Sequence, residues 1–307
     1  MLLKTILRPA KPLYHWLRLR QIRSIVRWNA HNGILAVDIA SNNGLGARLQ
    51  NCLEIFAYCD DHGLLPRIKF THRDDRTRLD YFERFFLLNT SIASELTVPF
   101  PRIYTIADLG FPTDYDKTLT LDRAHRLIQK YLGIRKPVLN EVDSFLAAHF
   151  GDGPVLGVHY RGTDKHSEAP QVGYARVLRN IRRYLQEFPA TEFIFISTDD
   201  QNFLSAARGA SLPRPVVSRA DSYRSSDGEA VHYRPGGNKV SVYRDALVNC
   251  LLLSRCKALL KSASFLSDWS CLFNPRLELI MLNQPHAHTT WFPARELMKK
   301  TLYQAVE

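Results

Sequence analysis

The chain has 307 residues, of which 45% are hydrophobic and 23% charged. That is ordinary globular composition, long enough for two domains. No apolar run approaches the ~18–20 residues of a transmembrane span, and the absence of low-complexity tracts and fixed-period repeats excludes a disordered or solenoid protein.

The formal net charge of +11 is unevenly spread. Lys4, Arg8, Lys11, Arg18, Arg20, Arg23 and Arg27 all precede the first acidic residue, Asp38. They alternate with leucines, isoleucines, Trp16 and Trp28. A basic amphipathic segment over residues 1–30 fits either an anionic membrane surface or a solvated helix packed on the body. The sequence holds no recognised nucleic-acid motif, so no nucleic-acid partner is expected. The cysteines, Cys52, Cys59, Cys250, Cys256 and Cys271, form no C-x-x-C pair, and the opening stretch is a poor signal sequence, broken by Lys4 and Arg8. Both features predict reduced thiols in a cytoplasmic protein.

Residues 33–71 read as strand, glycine loop, helix, strand: "ILAVDI" is apolar, "NNGLG" is turn chemistry, and 45–59 has helical spacing. This β-α-β unit opens an α/β domain over 31–150. Within it, "YFERFFLLN" reads as a buried helix, "TLDRAHRLIQKYLG" as an amphipathic helix ending at Gly133, and "PVLNEVDSFLAAHFG" as another helix. "FGDGP", 150–154, is the expected boundary.

From 151 to 307 strands and helices alternate: "VLGVHY", "YARVLRNIRRYLQEF", "EFIFISTDD", "QNFLSAARG", "PVVS", "YRDALVNCLLLSRC", "KALLKSAS", "FLSDWSCLF", "LELIMLN". The alternation predicts a parallel sheet with helices on both faces, a Rossmann-like domain. Ligands in such sheets bind outside the carboxyl ends of the strands. The charged and hydroxyl-rich stretches "HYRGTDK", "STDD" and "KSAS" all fall at those ends.

In the first stretch, Arg161 offers a planar fork for phosphate and Lys165 a compact positive charge. Asp164 can orient either cation or form a structural ion pair. Asp199 suits a ribose or base edge, or a helix cap; Asp200 reads as the cap of the helix near Gln201. Ser262, Ser264 and Ser267 surround a strand-to-helix turn, which binds phosphate or simply caps a helix. Gly44 and Gly46 give the amino-terminal loop a flexible backbone, without the dinucleotide fingerprint. His159 is grouped with these donor-side residues, although strand alternation is expected to aim it away or pack it below the loop.

No metal site is expected. His286 and His288 lack a neighbouring cysteine or carboxylate cluster, and Asp114-Tyr115-Asp116 lies in a proline- and glycine-rich loop rather than at a strand end. A P-loop and a G-x-S-x-G are absent.

"GVHYRGTDK", followed by "EA" and then "ISTDD", resembles the donor-site motifs of GDP-fucose-dependent fucosyltransferases, above all the α1,6-fucosyltransferase and nodulation group with its H-x-R-R-T-D-K run. "NNGLGARLQ" is similar to the glycine loop of that superfamily, and "DALVNCLLLSRCKALLKSASFLS" to its third motif. The resemblance runs from about Gly33 to about Asn283. It implies two Rossmann-like halves facing a cleft (GT-B-like), with the acceptor on the amino-terminal side. It also implies inverting, metal-independent transfer of fucose from GDP-fucose to a glycan hydroxyl; the basic amino terminus, separately, hints at a lipid-linked oligosaccharide as the acceptor. Arg161 then matches the arginine on the donor phosphates, Asp164 and Lys165 its neighbours, and Asp199 and Ser264 the nucleotide wall. Glu168 lies one residue closer to the motif than the family's candidate base. The departures are Gly162 in place of the second arginine, Ala47 and Arg48 in place of Asn-Gln, and Asn249 in place of Asp. Two other readings stay open: the same fold with another GDP-sugar, and a catalytically inactive nucleotide- or glycan-binding protein, which Gly162 and Ala47 favour. The expected setting is cytoplasmic, peripheral on the inner membrane face.

Overall fold

The computed structural model describes residues 10–73, 79–90, 97–111, 114–162, 168–227, 238–302 and 305–306. By its internal contacts the chain divides into two compact units. The first comprises Met1–Asn42, Arg48–Tyr115 and Leu127–Gly133; the second comprises Asn43–Ala47, Asp116–Arg126 and Ile134–Glu307.

The first unit opens with helix α1 (Ala10–His31), then strand β1 (Ile34–Ala40), helix α2 (Leu45–His62) and strand β2 (Leu65–Thr71). Helix α3 (Tyr81–Phe85) leads directly into β3 (Phe86–Leu88), and β4 (Arg102–Ile103) follows. The sheet order is β2-β1-β4, with β1 parallel to both neighbours. Every residue of β1 but Asp38 is buried, as expected of the central strand of a parallel sheet. The stretch "YFERFFLLN" is not one helix. Asp80 caps its start by accepting from the Phe82 and Glu83 amides, and the chain becomes extended at Phe86. Strand β3 then pairs with a short strand that the sequence reading had placed in the last turn of a helix.

That strand follows helices α4 (Tyr115–Thr118) and α5 (Leu121–Tyr131) and is β5 (Leu132–Ile134). Next come α6 (Lys136–His149), β6 (Val155–Tyr160), α7 (Tyr174–Glu187), β7 (Phe193–Thr198), α8 (Gln201–Gly209) and β8 (Val216–Val217). Helix α9 (Lys239–Ser254), β9 (Ala258–Lys261), α10 (Phe265–Phe273), β10 (Glu278–Met281) and α11 (Ala294–Met298) complete the order.

The second unit is built on a five-stranded sheet of order β10-β9-β6-β7-β8, parallel throughout. β6 is buried at every position because helices cover both of its faces. On one face Tyr160, Val158 and Ile196 meet Val177, Ile181 and Phe203 of α7 and α8. On the other, α9 packs against α6 and α10. Thus α6, read from sequence as the end of the first half, belongs by contact with the second unit.

Candidate functional site

β6 ends at Tyr160, opposite Thr198 at the end of β7, and β9 ends alongside at Lys261, opposite His159. The next residue of each strand carries the chemistry. Arg161 Nε lies 3.0 Å from Asp199 Oδ2, and Asp199 Oδ1 accepts the Gly162 amide at 3.1 Å. Ser262 Oγ accepts the Arg161 amide at 2.8 Å. The arginine is thus held twice, by its backbone from β9 and by its guanidinium from β7.

A pocket opens at this rim within the second unit. His159 and Arg161 both line it. His159 is only 3% exposed, in keeping with the alternative that it packs below the loop rather than turning away. Burial, then Lys261 and Arg161, hold the imidazole neutral, with its pKa lowered to about 3. Its Nδ1 is buried without a hydrogen-bond partner among the described residues.

The far wall is made by the amino-terminal ends of α2 and α10. Gly44, Gly46 and Ala47 come from the first, Ser264, Phe265 and Leu266 from the second. A Cβ on Gly46 would lie 2.9 Å from the Phe265 Cβ and 3.1 Å from the Leu266 amide nitrogen, so only glycine lets the loop close on α10. Tyr243 holds the same loop by donating to the Asn43 carbonyl at 3.2 Å. Ser264 stands at the N-cap of α10 but its hydroxyl makes no capping bond among the described residues. Ser267, in contrast, donates to the Ser264 carbonyl at 3.1 Å and is buried behind the turn. Helix starts present unpaired amides and a partial positive charge, and two of them beside an arginine make a strong anion-binding wall. Behind it, the buried Lys261 Nζ donates to Asp268 Oδ1 at 2.6 Å and ties β9 to the first turn of α10.

The opposite side carries a carboxylate that the sequence reading missed. Asp245 lines the pocket from α9. Its Oδ1 accepts from Arg219 at 2.9 Å, Ser222 at 2.9 Å and Asn249 at 2.8 Å, and its Oδ2 from the Tyr223 amide at 3.2 Å. Burial pushes the Asp245 carboxyl up from its ordinary range, against the pull of Arg219. Asn249, noted as a departure, is one turn further along α9 and serves as partner to this carboxylate. The only local signal was an Asp and an Asn four residues apart in an apolar helix.

Asp200 is the N-cap of α8, accepting the Asn202 and Phe203 amides at 2.8 and 3.0 Å, as its position predicted. Its other oxygen accepts the Tyr174 hydroxyl at 2.7 Å. A Cβ at Gly162 would come within 2.5 Å of that oxygen and 2.7 Å of the Tyr160 ring. Glycine at 162 is therefore what the packing requires. Arg48, the other departure, is fully buried and donates to the carbonyls of Ile39, Ser41 and Thr71, knitting together the ends of β1 and β2.

Glu168 does not line the pocket; its carbonyl accepts the His286 amide at 2.8 Å and the Thr289 hydroxyl at 2.6 Å. Asp164 and Lys165 lie outside the described residues. Asp116 of the D-x-D stretch is bound by the Phe292 amide at 2.5 Å and by Arg295.

No family model and no curated protein matches the chain. Solved structures do. NodZ α-1,6-fucosyltransferase co-crystallized with GDP is 16% identical, covers 78% of this chain and 92% of its own, and superposes with a TM-score of 0.53. The same enzyme soaked with GDP-fucose gives 16% identity, the same coverage and a TM-score of 0.50. A fucosyltransferase NodZ from Bradyrhizobium gives 17%, 78% and 93%, and 0.47. The fold of this chain, an α/β fold on parallel sheets, is the fold of these α-1,6-fucosyltransferase structures, as the resemblance of the motifs implied.

Proposed function

We propose that the chain is a fucosyltransferase that moves fucose from GDP-fucose to a glycan hydroxyl, with inversion and without a metal. One observation carries this reading: Arg161, fixed by Asp199 and Ser262, shares a pocket with the starts of α2 and α10. Such a wall suits the diphosphate of a nucleotide sugar. Asp245, an acceptor-only group, suits the adjacent N–H donors on the edge of guanine. The neutral His159 lines the same pocket. The fold likeness to structures holding GDP and GDP-fucose supports the same donor.

The reaction is a single displacement. A base takes the proton of the acceptor hydroxyl while its oxygen forms a bond to the anomeric carbon. The bond to the diphosphate oxygen breaks on the opposite face, which inverts the carbon. The leaving GDP takes the electron pair, and Arg161 with the two helix starts compensates its charge, a role a divalent ion would otherwise fill. Lys165 is proposed for the same charge, with Asp164 as an orienting neighbour, and Glu168, which is not part of the pocket lining, for the base. In this proposal residues 151–307 take the donor and 31–150 a glycan or lipid-linked acceptor, in a GT-B-like plan. The proposed setting is cytoplasmic, in keeping with cysteines that are all free and buried.

The reading that Gly162 marks an inactive protein loses its main support, because Asp200 occupies the space of any side chain there. Thermal-shift titration with GDP, UDP, CDP and GDP-fucose, with and without EDTA, tests the proposal. GDP and GDP-fucose are expected to stabilise the protein equally well in EDTA. A preference for UDP, or binding lost in EDTA, would overturn it; hydrolysis assays with other GDP-sugars separate the donors.

A further inference from the structure

Helix α1 has two faces of unusual character. Its inner face buries Ile22, Val26 and Asn29, and Asn29 donates to the Pro99 carbonyl at 2.9 Å. Arg18 anchors the same side through Asp108 at 2.8 Å. A helix so packed normally turns a mixed-charge polar face to water. The outer face of α1 does not. Leu13, Leu17, Arg20, Ser24 and Trp28 recur there at three- and four-residue spacing, flanked by Tyr14, Trp16, Arg23 and Arg27. Leu13 is 60% exposed, Tyr14 71%, Trp16 54%, Leu17 50% and Trp28 51%. Arg20, Arg23 and Arg27 are exposed beside them, and the Arg20 guanidinium lies over the Trp16 ring at 5.4 Å. No acidic residue precedes Asp38.

From this we propose that the outer face of α1 docks on an anionic lipid bilayer. Leucines and interfacial aromatics enter the headgroup boundary, while the arginines stay at the level of the phosphates. Charge complementarity selects this occupant over the alternatives. A second copy meeting α1 with α1 would set arginine against arginine. The rest of the chain is no better a partner: the seven lysines and arginines before Asp38 account for +7 of the net +11, so what remains is also net positive. A nucleic acid would satisfy the arginines but would leave Leu13 and Leu17 against a charged backbone. The inference is independent of the donor chemistry, since α1 takes no part in the pocket.

The test is co-sedimentation of the full chain with vesicles of phosphatidylcholine alone or doped with phosphatidylglycerol, at low and high salt. Binding is expected on the doped vesicles only, weakening with salt, with a blue shift of tryptophan emission that is reduced in Trp16→Phe. Replacing both Arg20 and Arg27 by Gln is expected to weaken partitioning by roughly 25-fold, about fivefold per arginine. Leu13→Ser with Leu17→Ser is expected to abolish the blue shift while the melting temperature holds, because both side chains are solvent-exposed. Equal binding to neutral vesicles, or none to either, overturns the proposal. So does a dimer in sedimentation velocity without lipid that the leucine variants dissociate, or binding to single-stranded RNA at the same salt that outcompetes the vesicles.

Discussion

Arg161 Nε and Asp199 Oδ2 stand 3.0 Å apart at the ends of neighbouring parallel strands. The pair points the guanidinium along the sheet rim and keeps it there, so the cation is in place before any ligand arrives. Preorganised charge of this kind lowers a barrier because nothing has to reorganise as the reaction proceeds.

Arg161→Ala is therefore expected to cut transfer by about 10²–10³-fold, the usual cost of losing one preorganised charge donor. The melting temperature should change little, because Ser262 and Asp199 still hold the backbone amides of 161 and 162. Arg161→Lys keeps the charge but not the planar fork and should fall between. Turnover of Arg161→Ala within a few-fold of the parent would remove the residue from the mechanism.

Acid should destabilise the protein through His159. In the unfolded chain an imidazole takes its proton near pH ~6.5; in the folded chain burial delays this to about 3. Between those values the unfolded state binds the extra proton. The contribution of His159 is full above the upper value and is lost as pH falls toward the lower one. The slope is about 1.4 kcal/mol per pH unit. Melting temperatures from about pH 7 to about pH 4 should fall less steeply for His159→Gln. Parallel curves for the two proteins would show that the imidazole is not held neutral.

The Lys261–Asp268 pair offers a double-mutant cycle. The two side chains are 0% and 3% exposed, so removing either partner leaves a buried, uncompensated charge. Lys261→Met or Asp268→Leu alone should cost about 3–5 kcal/mol in urea unfolding, and the double variant should recover most of it. Additive losses would mean that the pair is not coupled.

Gly46→Ala should separate folding from binding. The added methyl meets Phe265 Cβ and the backbone at Leu266, which cannot move away without shifting the start of α10. The expected result is a loss of about 1–3 kcal/mol of stability together with weaker GDP binding. Unchanged GDP affinity would show that the glycine loop does not shape the pocket.

Much of the second unit was legible because β6, β7 and β9 are short apolar runs with chemistry at their carboxyl ends, and the parallel sheet follows from alternation. The first unit was harder. The extended turn at Phe86 and the strand after Tyr131 depend on each other, and neither carries a local signal strong enough to end a helix. Asp245 stayed hidden for a similar reason: it reaches the pocket from the middle of a long, largely buried helix, and only the packing of α9 beside the rim gives it a role. For His159 the sequence offered two placements, and its burial in the pocket wall fits the packed one rather than the one that turns away. Arg48 and Gly162 looked like losses when compared with the family motif. Their neighbours, carbonyls in one case and Asp200 in the other, show them to be fitted parts.

Asp200 couples two parts of the rim. One oxygen of Asp200 starts α8, the other meets Tyr174, and together they fill the room beside position 162. The two sites are locked to one another like a bolt and its socket. Any side chain placed at 162 must displace the acid at 200, so even a methyl there would disturb the start of α8 and the Tyr174 contact together.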